Sequence, residues 1–228
     1  AMNNQHADWT QMLVILSVAS LLIGNLAAIV QTNIKRMLAY STVSHMGFVL
    51  MAFLSGSVGF SAGLYYALTY IVMALVGFGV LMLLSDESFE CENIADLAGL
   101  NRRNAWYAFL MLLAMFSMAG IPPLMGFYAK FGVIKALLSA STAQNAAMAG
   151  STYIVLAVFA VVMSLIGAFY YLRVVKVMYF DEPAHDQPVG SNYAAKLFLS
   201  ANAFLLIVWG IMPQTVIDWC ARALENTL

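Results

Sequence analysis

The sequence predicts an all-α integral membrane protein of about six transmembrane helices, one of them discontinuous at Gly120-Pro123. Three observations predict it. Of 228 residues, 63% are hydrophobic and only 9% charged, whereas a soluble chain of this size needs about a quarter of its residues charged to keep its surface wet. The few charges fall in clusters, and the stretches between them run to about 20 residues, enough to cross ~30 Å of hydrocarbon. Finally, Gly-Ile-Pro-Pro at 120–123 interrupts an apolar stretch that carries a lysine, Lys130.

The elements follow from the same criteria. A first span covers about 9–34, with Trp9 at an interface and Lys35-Arg36 closing it. A second covers about 37–54 and is uncharged except for His45. Ser55-Gly56-Ser57 turns the chain into a third span, about 58–84. The loop 85–104 is acidic first (Asp86, Glu87, Glu90, Glu92, Asp96) and then basic (Arg102, Arg103). An apolar stretch from Trp106 stops at Gly120-Ile121-Pro122-Pro123 and resumes to about 138. The prolines lack N–H donors and free backbone carbonyls, so the break is expected to be buried against other helices or to line a wet cavity. Spans at about 152–175 and 194–212 follow, joined by a loop at 181–192, and 213–228 reads as an amphipathic tail. The N-terminus lacks the basic start and cleavage site of a signal peptide and reads like the tail of a loop. The chain is therefore expected to begin partway through a longer protein.

Charge asymmetry decides whether the halves around Pro122-Pro123 make one span or two. As one broken span (106–138), the chain crosses six times. Lys35, Arg36, Arg102, Arg103, Arg173, Lys176 and Lys196 then share one side, Lys135 and Arg222 the other, and Lys130 lies within the membrane. As two spans, the split weakens to six against three, and each half is too short to cross alone. The positive-inside rule favours one broken helix, with the seven-charge side cytoplasmic and both ends of the chain outside.

Within the spans the ionisable groups, tyrosines aside, reduce to His45 and Lys130, with Lys135 near a helix end; all eleven acidic residues lie in loops or tails. Lys130 sits about 10 Å along a helix from Pro123, too deep to snorkel comfortably. A charge there is costly unless it meets water or a partner, and desolvation disfavours its charged form, so it can exchange a proton. The plainer reading is a structural lysine paired with a neighbouring helix. His45, close to Thr42 and Ser44, has an imidazole that accepts and donates at once, which suits a relay as well as an interhelical hydrogen bond. Tyr70 is either a relay hydroxyl or a packing aromatic, and Asn25 has an amide suited to binding a neighbouring helix. Lys35 and Arg36 read as topology anchors. His6 and His185 lie in polar surroundings, and Cys91 and Cys220 have no metal-ligand spacing and read as free thiols.

A net charge of −1 argues against nucleic-acid binding. No phosphate-cradling loop, cysteine cluster, nucleophile motif or paired histidines for haem occurs in the sequence.

Two motifs carry a resemblance. Gln31-Thr-Asn-Ile-Lys-Arg-Met-Leu-Ala-Tyr-Ser-Thr-Val-Ser-His-Met-Gly47 resembles a signature of the antiporter-like membrane subunits of complex I, the proton-pumping NADH–quinone oxidoreductase. Ala119-Gly-Ile-Pro-Pro-Leu-Met-Gly-Phe-Tyr-Ala-Lys-Phe131 resembles the broken-helix motif of that family. A lysine rather than a glutamate in the second motif, Gly-Ala-Phe-Tyr-Tyr-Leu-Arg173, and a tyrosine where sister subunits carry histidine narrow the likeness within the family. The resemblance covers about Gly24 to Pro213. It implies a fold of about fourteen helices in two inverted repeats, of which residues 1–228 would be the C-terminal six, with the N-terminal half absent. It implies that Lys130 ends a half-channel toward the outside, and that His45 belongs to a central axis whose glutamate and further lysines lie upstream. NADH, FMN, iron–sulfur clusters and quinone would sit on partner subunits. The implied partners are the other membrane subunits, the lipid bilayer and protons, in a bacterial inner membrane. Two rivals are a subunit of a multisubunit sodium/proton antiporter and a non-pumping scaffold.

Overall fold

The computed structural model describes residues 2–85, 90–143, 148–183 and 193–225. Asp86, Glu87 and His185 lie outside the described residues, as does the side chain of His6. Nine α-helices occur among the described residues: α1 (Met2–Ile29), α2 (Ile34–Phe53), α3 (Gly56–Leu84), α4 (Leu100–Arg103), α5 (Ala105–Ala119), α6 (Met125–Ser141), α7 (Gly150–Phe180), α8 (Tyr193–Ile211) and α9 (Pro213–Glu225). Four segments are long and apolar enough to cross a membrane: Trp9–Ile29, Gly56–Leu84, Gly150–Phe180 and Tyr193–Ile211. α2 is less apolar but has 20 residues, about 30 Å of helix.

The distribution of side chains is that of a lipid-embedded bundle. Large apolar groups such as Ile15, Ile23, Leu165, Phe169 and Phe204 face outward, while Ser17, Asn25, Ser41, Ser44, His45, Thr69, Ser117 and Lys130 are buried. Hydrocarbon rewards that inversion, because polar groups find partners only inside the bundle. The protein is an all-α, multi-pass membrane protein.

Small residues set the closest approaches. A Cβ on Gly24 would lie 2.6 Å from the Ser44 backbone nitrogen, and one on Gly47 3.0 Å from the Ser17 carbonyl oxygen. α1 and α2 therefore pack backbone to backbone, as helices in lipid do when small residues line the seam.

At one end of the bundle the loops interlock. Ile34 N–H donates to the Glu92 carbonyl (2.6 Å), and Ile94 N–H to that of Thr32 (2.9 Å). The Arg173 guanidinium donates to the carbonyls of Ile29 (3.0 Å) and Gln31 (2.7 Å), closing the C-terminal end of α1. α1 ends there, five residues before the end that apolar content alone suggests, because the side chain of Asn33 caps α2. Lys35 pairs with Glu90 and lies 4.0 Å from Glu92, and Arg102 lies 3.4 Å from Glu182. Residues 29–35, 90–103 and 173–182 thus share one end. The chain leaves that end at Asn104 and regains it at Arg173, an even number of crossings, so α5 and α6 together supply one.

Packing along α3 agrees. Gly77, in its C-terminal half, faces Met115 and Met118 of α5, whereas Ala62, in its N-terminal half, faces Gly132 of α6. The two short helices run end to end beside α3, as a discontinuous span requires.

Cys91 is buried beneath the interlocked loops. Burial, with the Asp96 charge adding to it, pushes its thiol up to about 12. At pH ~8 its thiolate fraction is then roughly a thousandfold below that of an ordinary cysteine, so maleimide should leave Cys91 unlabelled in the native protein and label it after denaturation. A second expectation concerns α8. A Cβ on Gly210 would lie 2.1 Å from the Pro123 carbonyl oxygen, whereas one on Gly77 meets nothing nearer than 3.6 Å. Gly210→Val should sharply reduce folded protein recovered in detergent, and Gly77→Ala should leave thermal stability close to the parent's.

Candidate functional site

The site is built at the break. α5 ends on Gly120, whose φ of +87° only glycine adopts without strain. Gly120 N–H donates to the Phe116 and Ser117 carbonyls, and Ile121 N–H to that of Phe116 (3.0 Å), which closes the last turn. The Ser117 hydroxyl accepts from Gly126 N–H in the first turn of α6 (3.1 Å). These bonds satisfy much of the interrupted backbone from within the chain. Pro122 and Pro123 themselves lie exposed on the described bundle, although the sequence led to an expectation of burial or a wet cavity. Their rings carry no N–H, so the apolar face they present strands no donor.

Lys130 folds back over this turn. Its ammonium donates to the Ala119 carbonyl and to the Ser164 hydroxyl of α7, both at 3.0 Å, and lies 5.7 Å from the centre of the Phe48 ring. It is 7% exposed, and the described buried residues include no carboxylate. The lysine is therefore held by neutral acceptors.

His45, 3% exposed, occupies a second cluster on α2. Nδ1 is 2.7 Å from the Tyr66 hydroxyl and Nε2 2.9 Å from that of Tyr171. A neutral imidazole donates through one nitrogen and accepts through the other, and each phenol takes the complementary role. The Tyr70 ring stands 4.9 Å from the imidazole, and its hydroxyl pairs with that of Thr42 at 2.5 Å. Asn25 donates to the Ser44 hydroxyl (2.8 Å) and the Leu21 carbonyl (2.8 Å), and accepts from the Tyr170 hydroxyl (3.1 Å).

The residues singled out from sequence thus gather on facing sides of α1, α2, α3, α6 and α7, but not in one hydrogen-bonded line. Thr42 joins Tyr70, and Ser44 joins Asn25. His45 and Lys130 are not bonded to each other; Phe48 and Tyr66 lie between their clusters. Sequence reasoning missed Ser164, Tyr66 and Phe48, as well as the roles of Tyr170 and Tyr171. The tyrosine pair drew notice only as part of a family motif, and a lone serine or aromatic in an apolar helix gives no signal. Among the described residues, no group of three or more His, Cys, Asp or Glu converges to hold a metal.

A bundle of membrane helices with one broken span and a lysine turned back over the break agrees with the antiporter-like likeness that the two sequence motifs carry. The chain belongs to the NADH:quinone oxidoreductase/Mrp antiporter transmembrane family, which its residues 1–156 match. It is 70% identical to NADH-quinone oxidoreductase subunit N of Neisseria gonorrhoeae over 98% of its length, and 51% identical to that of Methylovorus glucosotrophus over 96%. It spans 44% of each relative, a little under half their length. Among solved structures, a chain of Thermus thermophilus respiratory complex I with bound aureothin superimposes with a TM-score of 0.76 at 29% identity, over 91% of this chain and 45% of that one. A chain of the Mrp complex of a Dietzia species gives 0.81 at 21% identity, over 96% and 47%, a likeness of fold.

Asn25 is the most heavily bonded side chain of the second cluster. Asn25→Ala should destabilise the protein by about 1–3 kcal/mol, the cost of stranding buried polar partners. The measure is the thermal unfolding midpoint in detergent, and Ser44→Ala, which removes one of the same bonds, should cost less.

Proposed function

We propose that this chain belongs to a proton-translocating NADH–quinone oxidoreductase of the bacterial cell membrane. In this reading it carries protons outward while partner subunits, which hold NADH, FMN, the iron–sulfur clusters and the quinone, perform the redox chemistry. Its neighbours would be other membrane subunits of that assembly, and the end bearing Lys35, Arg102, Arg103 and Arg173 would face the cytoplasm. His45 would relay protons and Lys130 would release them on the outer side.

The observation that carries the reading is the pair of neutral acceptors around the Lys130 ammonium. An ammonium has three N–H donors. Two are taken by Ala119 and Ser164, which leaves one proton without a fixed partner among the described residues. Its loss produces an amine whose remaining two donors still match the same two acceptors. The group can therefore change charge without breaking its hydrogen bonds or stranding a buried carboxylate. His45, held by two phenols, can take a proton at one nitrogen once the phenol there turns to accept, and give one from the other. The 70% identity to a subunit N of NADH-quinone oxidoreductase favours this reading over the sodium/proton antiporter alternative.

The test uses the full-length protein in its complex, in inverted membrane vesicles. Lys130→Ala should lower both proton pumping and quinone reduction by about tenfold or more, a barrier increase of at least ~1.4 kcal/mol, while the complex still assembles. Lys130→Arg keeps the charge but cannot deprotonate, and should pump no better than Lys130→Ala. His45→Ala should lose less, and Lys35→Ala almost nothing. Normal pumping by Lys130→Ala would end the proposal and leave the non-pumping scaffold.

A further inference from the structure

We propose that Phe48 is the apolar barrier between the two protonatable groups of this chain: it keeps the His45 cluster and the Lys130 ammonium from joining into one permanent hydrogen-bonded line. The inference rests on the proton-carrying reading above and goes beyond it by naming the residue that controls passage.

The geometry is specific. His45 and Phe48 are three residues apart on α2 and so project from the same side of the helix. The Tyr66 hydroxyl is bonded to His45 Nδ1, and the Tyr66 ring stacks on that of Phe48 with centroids 5.5 Å apart and planes 14° from parallel. The Lys130 ammonium lies 5.7 Å from the centre of the same Phe48 ring. Contacts therefore run from His45 through Tyr66 and Phe48 to Lys130, and Phe48 is the one member with no polar atom. It is 2% exposed, so the barrier is packed in. Both hydrogen bonds of Lys130 go to α5 and α7, and none goes to α2.

Two consequences follow. The ring attracts the charged form of Lys130 through its π-face and draws it toward the cluster, whereas the neutral amine loses that attraction. And because a benzene ring neither donates nor accepts a proton, transfer along this line needs water to pass it. Apolar surroundings hold water poorly, so such a connection forms transiently. A polar side chain in its place would make the connection standing, and protons driven outward would run back.

The experiment compares Phe48→Asn, Phe48→Ala and Phe48→Leu in the full-length protein within its complex, in inverted vesicles. Quinone reduction, the steady pH gradient under turnover, and the passive proton leak of idle vesicles under an imposed potassium diffusion potential are all read. Phe48→Asn and Phe48→Ala should keep most of the quinone reductase rate, lose the gradient severalfold and raise the leak. Phe48→Leu, apolar and without a ring, should hold a gradient near the parent's. In Phe48→Asn combined with Lys130→Ala the leak should disappear, because the carrier beyond the barrier is gone. Tight vesicles with full gradients in both Phe48→Asn and Phe48→Ala would overturn the inference, as would a leak in Phe48→Leu equal to that of Phe48→Asn. If Lys130→Ala alone stops pumping while the Phe48 variants stay tight, only the barrier role fails. If Lys130→Ala pumps normally, the proton-carrying reading itself fails.

Discussion

Hydrocarbon offers a peptide group no hydrogen-bond partner, and the end of α5 is where this chain meets that constraint most sharply. A helix stopped inside the membrane leaves carbonyls that neither lipid nor a continuing turn can take. Here the left-handed turn at Gly120 recovers two N–H donors for them, and the Ser117 hydroxyl caps the next helix. The Ala119 carbonyl is met by Lys130. The lysine is therefore part of what makes the break tolerable, and the break in turn is part of what makes the lysine tolerable. A charged group that would be expelled from an unbroken bundle finds a backbone acceptor that only an interrupted helix exposes. The neighbours conform to this arrangement: α8 brings Gly210 against the Pro123 carbonyl, where no side chain fits, and α7 supplies Ser164.

The same constraint explains why the polar residues of the bundle form local groups. The buried hydroxyls and amides that find partners do so within reach of their own helix and one or two neighbours: Asn25 collects Ser44 and Tyr170, Thr42 takes Tyr70, and His45 is bracketed by Tyr66 and Tyr171. Satisfaction is local; continuity is a separate requirement, and aromatic rings interrupt it.

Much of this was legible in the sequence. Apolar runs with charged ends reveal spans directly, because lipid thickness sets their length. One crossing or two at the proline break was answerable from lysine and arginine positions alone, since the sidedness of loops records the parity of crossings. The loop contacts of Arg173 with Ile29 and Gln31 reach the same parity by an independent route. Lys130 and His45 stood out because ionisable groups are rare in such helices. What stayed hidden were their partners. Ser164 is one small polar residue among many in helices that tolerate them, and Tyr66, Tyr171 and Phe48 are aromatic in a chain with 13% aromatic residues. Their roles depend on which faces of α2, α3 and α7 meet, and that depends on close contacts such as Gly24 against Ser44 and not on periodicity. Arg173 entered only as one of the positive charges of one side and as the end of a family motif, but its guanidinium also finishes α1, a role visible only once α1 and α7 are seen to be neighbours.

The arrangement also constrains how the two groups can work together. A carboxylate beside Lys130 would hold it charged, and a polar bridge to His45 would let protons equilibrate freely; the structure has neither among its described residues. Lys130 answers neutral acceptors on one side and an aromatic ring on another. His45, bonded at both nitrogens, cannot gain a proton without one phenol ceasing to donate to it. Tyr66 both bonds His45 and stacks on Phe48, so a reorientation of its hydroxyl and ring would touch the histidine and the ring beside the lysine together.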